Sequence, residues 1–89
     1  MNYKKAVALK YEKNSMNAPK VVAKGKGEIA LKILKKAEEF DIPIFKNASL
    51  ASSLLDVDIE EEVPPKLYKA VVEVFVWLMQ SEKKAQLSR

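Results

Sequence analysis

The apolar positions of this chain change period several times, and each change marks an element. Lys5 to Tyr11, K-A-V-A-L-K-Y, alternates, with Val7, Leu9 and Tyr11 on one side and Ala6 and Ala8 on the other. That pattern predicts a strand whose alanine side lets a helix approach closely. Lys20 to Lys24, K-V-V-A-K, predicts a second short strand. Between them, Glu12 to Pro19 is polar, with Asn14, Ser15, Asn17 and Pro19, and reads as a surface loop suited to recognition.

From Gly25 onward the period becomes helical. Ile29, Ile33, Ala37 and Phe40 share a narrow angular range with Ala30 and Leu34 beside them, while Lys32, Lys35, Lys36 and Glu39 take other directions. The helix is expected to bury the Ile29, Ile33, Ala37 and Phe40 face and to stop at Asp41. Ile42, Pro43, Ile44 and Phe45 follow too closely for another helix, and Pro43 pushes its predecessor toward extended geometry. Because Pro43 lacks an amide donor, the run predicts a third strand at the start or edge of a sheet. A one-faced helix leading into an apolar strand is half of a crossover unit, so the expected class is α/β, a small central mixed sheet surrounded by helices.

Asn47 or Ser49 is placed to cap a short helix carrying Leu50, Ala51, Leu54 and Leu55, ending before Asp56. The acidic Val57 to Glu62 then leads to Pro64 and Pro65, and Pro65 suits the first turn of a last helix over about Lys66 to Gln80. Leu67, Val71, Val74, Phe75 and Leu78 form its central stripe, and Tyr68, Ala70, Trp77 and Met79 widen it on both sides. So wide an apolar arc means either a helix packed between two elements or one shoulder left open as a binding surface. The whole chain, 1–89, is expected to be one domain with an ordered core over about residues 5–80 and a polar, frayed tail.

Composition narrows function more than fold. With neither cysteine nor histidine, the chain lacks a thiol nucleophile, a thiolate metal site and the commonest acid–base group. The longest strongly apolar stretch, Ala70 to Met79, is about half a membrane span and contains Glu73. The net charge of +4 hides a segregation: residues 1–36 hold ten lysines against two acids, and residues 37–65 hold eight acids against one lysine. Separate basic and acidic regions favour directed docking to a charged partner.

The candidate chemistry is thin. G-K-G at 25–27 precedes a helix and either offers amides to an anion or turns a strand sharply into the helix; it matches neither a dinucleotide fingerprint nor a phosphate loop. Asp56, Asp58, Glu60, Glu61 and Glu62 lack calcium-loop spacing and read as a solvated or partner-facing run. Ser15, Ser49, Ser52 and Ser53 have no histidine to activate them, which leaves a serine–lysine pair as the one nucleophile arrangement. Lysines near Tyr3 and Tyr11 suit a small basic nucleic-acid-binding module, yet arginine, the better fork for phosphates and bases, occurs only at Arg89.

Several segments in order, A-V-A-L-K-Y from Ala6, A-P-K-V-V-A-K-G from Ala18, G-E-I-A-L-K-I from Gly27, I-P-I-F from Ile42 and V-P-P-K-L-Y-K-A-V-V-E-V-F-V-W from Val63, resemble the C-terminal cytoplasmic domain of the FlhB/YscU/SpaS family of export-gate switch proteins in flagellar and injectisome type III secretion. The resemblance covers about residues 3–80. It implies a small α/β domain, here without the family's first strand, so the edge of the Lys5 to Tyr11 strand is expected to be protected locally or completed by a partner. The family's self-cleaving asparagine–proline–threonine–histidine sequence aligns with Met1, Asn2, Tyr3 and Lys4, and no self-cleavage is expected.

What the resemblance implies for function is a non-enzymatic module without cofactor or metal, a stand-alone relative of the switch domain. Its expected partners are export substrates and gate proteins, including a membrane-bound FlhB-like N-terminal portion, with neither nucleic acid nor membrane insertion. Its expected location is cytoplasmic, peripheral to the inner-membrane export gate, and its expected role is in switching substrate specificity. The family's apolar substrate pocket aligns with Ala18, Pro19, Val72 and Phe75, the last two larger than in some relatives. Lys10, Lys13, Lys20, Lys24 and Lys26 are the candidates for electrostatic steering.

Overall fold

The two alternating stretches near the N-terminus form an antiparallel pair, β1 (Lys5–Lys10) and β2 (Lys20–Lys26), in a computed structural model that describes residues 4–12, 15 and 18–87, with 81–87 as backbone only. Ala6 faces Gly25, Val7 faces Lys24 and Ala8 faces Ala23; the register then shifts, and Leu9 faces Val21. Val22 is the extra residue of this bulge, which keeps Val21 on the side of Val7 and Leu9. The other edge of β2 is covered by the acidic segment. Glu60 N–H donates to the Val21 carbonyl, Val21 N–H to Glu61, and Val63 N–H to Pro19.

Helix α1 (Glu28–Glu39) packs on the alanine side of this sheet, as the alternation predicts. Its buried strip differs from the predicted one. Ala30 is fully buried and Ile33, Leu34 and Ala37 are half-buried, whereas Ile29 and Phe40 are 57% and 69% exposed. The cause is the width of the support: a sheet of two strands covers only a narrow strip of a helix. The turn into α1 is tight as well, since Gly27 has φ +58° and a Cβ on Gly25 would collide with the Ile29 side chain.

The expected third strand at Ile42 to Phe45 does not form. Ile42 instead closes α1, donating to the Ala37 carbonyl while Asp41, at φ 55°, donates to Glu38. These two bonds make a Schellman ending, after which Pro43 removes a donor and, among the described residues, no neighbouring strand offers a ladder. Asn47 then caps α2 (Ala48–Leu54), its Oδ1 accepting from Leu50 N–H at 3.0 Å. The C-terminal end of α2 is held from outside. Lys24 Nζ donates to the carbonyls of Leu55 at 2.9 Å and Val57 at 2.8 Å.

Pro65 opens a 3₁₀ turn (Pro65–Leu67) that leads into α3 (Tyr68–Leu87), which runs past the expected end at Gln80. The core lies on the face of the sheet opposite α1, where Val21, Leu50, Leu54, Val57, Val63 and Val71 are buried together and Val7, Leu9, Leu67, Ala70, Val74 and Phe75 close around them. The α/β reading holds: a small sheet lies between α1 on one side and α2 and α3 on the other. No helix among the described residues is long and apolar enough to cross a membrane.

Candidate contact surface on the closing helix

Helix α3 buries Val71 and leaves the shoulder beside it in water. Val72 is 56% exposed, and Tyr68, Val76 and Met79, at helical spacings of four, four and three, extend the same apolar strip. Phe75 borders the strip, half-buried against the core. Tyr11, just past the end of β1, lies against Phe75 with ring centroids 5.9 Å apart and planes tilted by 56°. The strip thus has an aromatic wall donated by another part of the chain.

Of the four residues aligned with the family pocket, the structure joins Pro19 and Phe75 to one core. The Pro19 carbonyl accepts from Val63, and Val63 and Val21 belong to the cluster on which Phe75 packs. Ala18 is only 4% exposed, so it contributes wall rather than open surface, and Val72 is the most accessible of the four. Tyr68 and Met79 belong to the wide apolar arc for which the sequence offers an open binding shoulder as one reading, whereas Tyr11 and Val76 are outside it. The spacing of 68, 72, 76 and 79 was visible in the sequence, but the assignment of that arc to water depends on where the sheet sits.

The lysines have unequal duties. Lys24 is tied to α2, as above, and holds the fold together. Lys10 pairs with Glu12 at 3.1 Å on the surface, and Ser15 Oγ donates to the same carboxylate at 3.0 Å. The Lys10 hydrogen bond, with help from Ser15 and the Lys10 charge, lowers the Glu12 carboxyl below its ordinary range. Lys20 is half-buried, Lys26 is exposed, and Lys13 lies outside the described residues, as do Asn14, Met16 and Asn17 of the loop expected to take part in recognition.

Other candidates resolve into structure. Gly27 N–H donates to the Lys4 carbonyl at 2.8 Å, so the G-K-G turn commits an amide to the sheet. The acidic run is exposed, its backbone covers the edge of β2, and no three carboxylates among the described residues converge on one point. Ser52 and Lys5 do meet, Nζ donating to Oγ at 2.7 Å, but the pair is exposed rather than set in the apolar pocket that a lysine base needs; it pins β1 to α2.

Comparison with known proteins agrees with this geometry. The sequence model of the FlhB HrpN YscU SpaS family matches residues 3–78. The flagellar biosynthetic protein FlhB of Aquifex aeolicus is 46% identical over 80 residues, 89% of this chain and 23% of that protein. The Bacillus subtilis protein YlqH, itself uncharacterized, is 35% identical over 75 residues, 84% of this chain and 81% of its own length. The crystal structure of the cytoplasmic domain of FlhB from Shewanella putrefaciens superposes with a TM-score of 0.81 at 34% identity, covering 85% of this chain and 64% of that one. The chain spans less than a quarter of the length of the flagellar relative.

Proposed function

Because the chain belongs to the FlhB HrpN YscU SpaS family, we propose that it is a non-enzymatic cytoplasmic module of the flagellar or type III protein export apparatus, which binds export substrates or gate components and contributes to substrate switching. The observation that carries this reading is the open apolar shoulder of α3, with Val72 exposed beside the Tyr11–Phe75 wall. An apolar strip bounded by aromatic rings suits a short apolar motif of a partner. Pro19 is tied to the same core through its carbonyl, which accepts from Val63 N–H, and the exposed Lys26 and surface Lys10 supply steering charge.

Met1, Asn2, Tyr3 and Lys4 stand where the family's cleavage sequence aligns, so the module works without cutting itself. Prolonged incubation should leave its intact mass unchanged.

Binding is tested with Val72→Asp and Phe75→Ala variants titrated with a purified export substrate by calorimetry. Val72→Asp, at an exposed position, should keep the fold and weaken binding at least tenfold. Unchanged affinity in a folded Val72→Asp protein would remove the α3 shoulder as the contact surface. Salt separates this mode from phosphate binding, since release of counterions makes nucleic-acid affinity fall steeply with salt while an apolar contact persists.

A further inference from the structure

An apolar groove of about 300 Å³ runs between α1 and the sheet, with Ala8 and Ala23 as its floor and Ile29, Ile33 and Ala37 as its wall. The three wall residues recur at every fourth position, which makes them one ridge of the helix, and a ridge of this spacing is what a second helix packs against. Phe40 continues the ridge one turn on from Ala37, and Ile42 closes the groove. Ile29, Phe40 and Ile42 are 57%, 69% and 57% exposed, so the strip has no cover of its own. Over the 12 residues of α1 it is about 18 Å long, or three turns. The alanine floor lets a helix settle deeply, since the distance between packed helices and their supports is set by the side chains at the contact.

Charge decides the occupant. Lys32 and Lys36 stand at the rim of the groove, whereas Glu39 and Asp41 do not line it. Lys36 is partly offset by Glu39 at 3.7 Å, and Lys32 has no ion-pair partner among the described residues. A second copy of α1 would set lysine against lysine in either direction. Laid parallel, Lys36 meets Lys36; laid antiparallel about the middle of the strip, Lys32 meets Lys36. An anionic membrane would meet the same lysines, but also the exposed Glu38, Glu39 and Asp41 at the end of the helix. We infer that the α1 groove receives an amphipathic helix of a partner protein, with an apolar stripe that lies along Ile29, Ile33 and Phe40 and carboxylates that face Lys32 and Lys36. This surface is on the opposite side of the sheet from the α3 shoulder and stands independently of the function proposed there.

The probe is a capped peptide of about 18 residues, long enough to hold a helix, with leucines along one stripe and glutamates beside it, titrated into the isotope-labelled protein by NMR. The amides of α1 from Ile29 to Phe40 should shift while those of α2 stay in place. A peptide with lysine in place of glutamate should bind at least tenfold more weakly, and Lys32→Glu with Lys36→Glu should invert that preference. Phe40→Asp, at a position 69% exposed, should keep the fold and weaken binding at least tenfold. Should Phe40→Asp fail to fold, Ile29→Ala, also at an exposed position, must weaken binding at least threefold by itself. Shifts confined to α3 or to the sheet edge at Lys5 and Val7, or equal binding of the lysine peptide, would overturn the inference. So would a concentration-dependent dimer that buries α1 without peptide, or docking of α1 on phosphatidylglycerol vesicles with no response to the peptide.

Discussion

Toward α2 and α3 the sheet meets branched side chains, and six of them, Val21, Leu50, Leu54, Val57, Val63 and Val71, are buried in one cluster. Toward α1 it meets alanines: Ala6 and Ala30 are buried, while Ile29, Phe40 and Ile42 stay largely in water. Burying a valine or leucine contributes about 1.5 to 3 kcal/mol, and an alanine far less. One face therefore carries the stability, and the other keeps apolar surface to spare.

The division is broken or upheld most directly by paired truncations. Leu54→Ala, in the cluster, should cost about 2 to 5 kcal/mol in urea unfolding. Ile29→Ala, on the α1 side, should stay within about 0.5 kcal/mol of the parent, as an exposed substitution does. Equal losses would mean that α1 buries more than its exposure says.

Next in size is the attachment of α1. Gly27 sits at φ +58° and ψ −124°, a conformation that side chains resist, so Gly27→Ala should cost about 1 to 3 kcal/mol. Its signature is regional: hydrogen exchange should speed up in α1 and leave the amides of α2 protected. Uniform acceleration would show that the two faces unfold as one unit. Smaller again is Asn47→Ala, which removes the side-chain acceptor for Leu50 N–H and should lower stability by about 1 kcal/mol. With Lys24 still holding the Leu55 and Val57 carbonyls, the helix should fray from its first turn only.

These elements also show what was legible in advance. The alanine and valine sides of β1, the Asn47 cap and Pro65 in a first turn depend on neighbours within a few residues, and all were readable. The third strand was not, because I-P-I-F has strand-forming side chains but a strand exists only beside another backbone, and none lies there among the described residues. The buried strip of α1 was misplaced for a related reason: periodicity finds an apolar arc, and the width of the sheet decides how much of it is covered. The pairing of Glu60 to Val63 with β2 was hidden because Glu60, Glu61 and Glu62 all face water and Val63 alone points into the core, so no alternation marks a strand. At the candidate site, resemblance supplied Val72 and Phe75, while Tyr11 joined them through a contact spanning most of the chain.

The least effect expected is also the one nearest that contact. Glu12 follows Tyr11, and its carboxyl is lowered first by the Lys10 hydrogen bond, then by Ser15 and the Lys10 charge. A carboxyl lowered in the folded state adds stability above its ordinary value of 4.5 and loses it as the pH falls through the folded value. Glu12 is fully exposed, so the loss should be slight and should shrink with salt. Glu12→Gln removes this dependence: its melting temperature should fall less than that of the parent between neutral pH and pH 3, with the gap closing in molar salt. The Tyr11 ring resonances should report the same step in the parent alone, since loosening the Lys10–Glu12–Ser15 turn releases the residue that walls the α3 shoulder. A parent and variant with identical acid profiles would separate that wall from the charge beside it, and leave the packing of Tyr11 on Phe75 to hold the shoulder unaided.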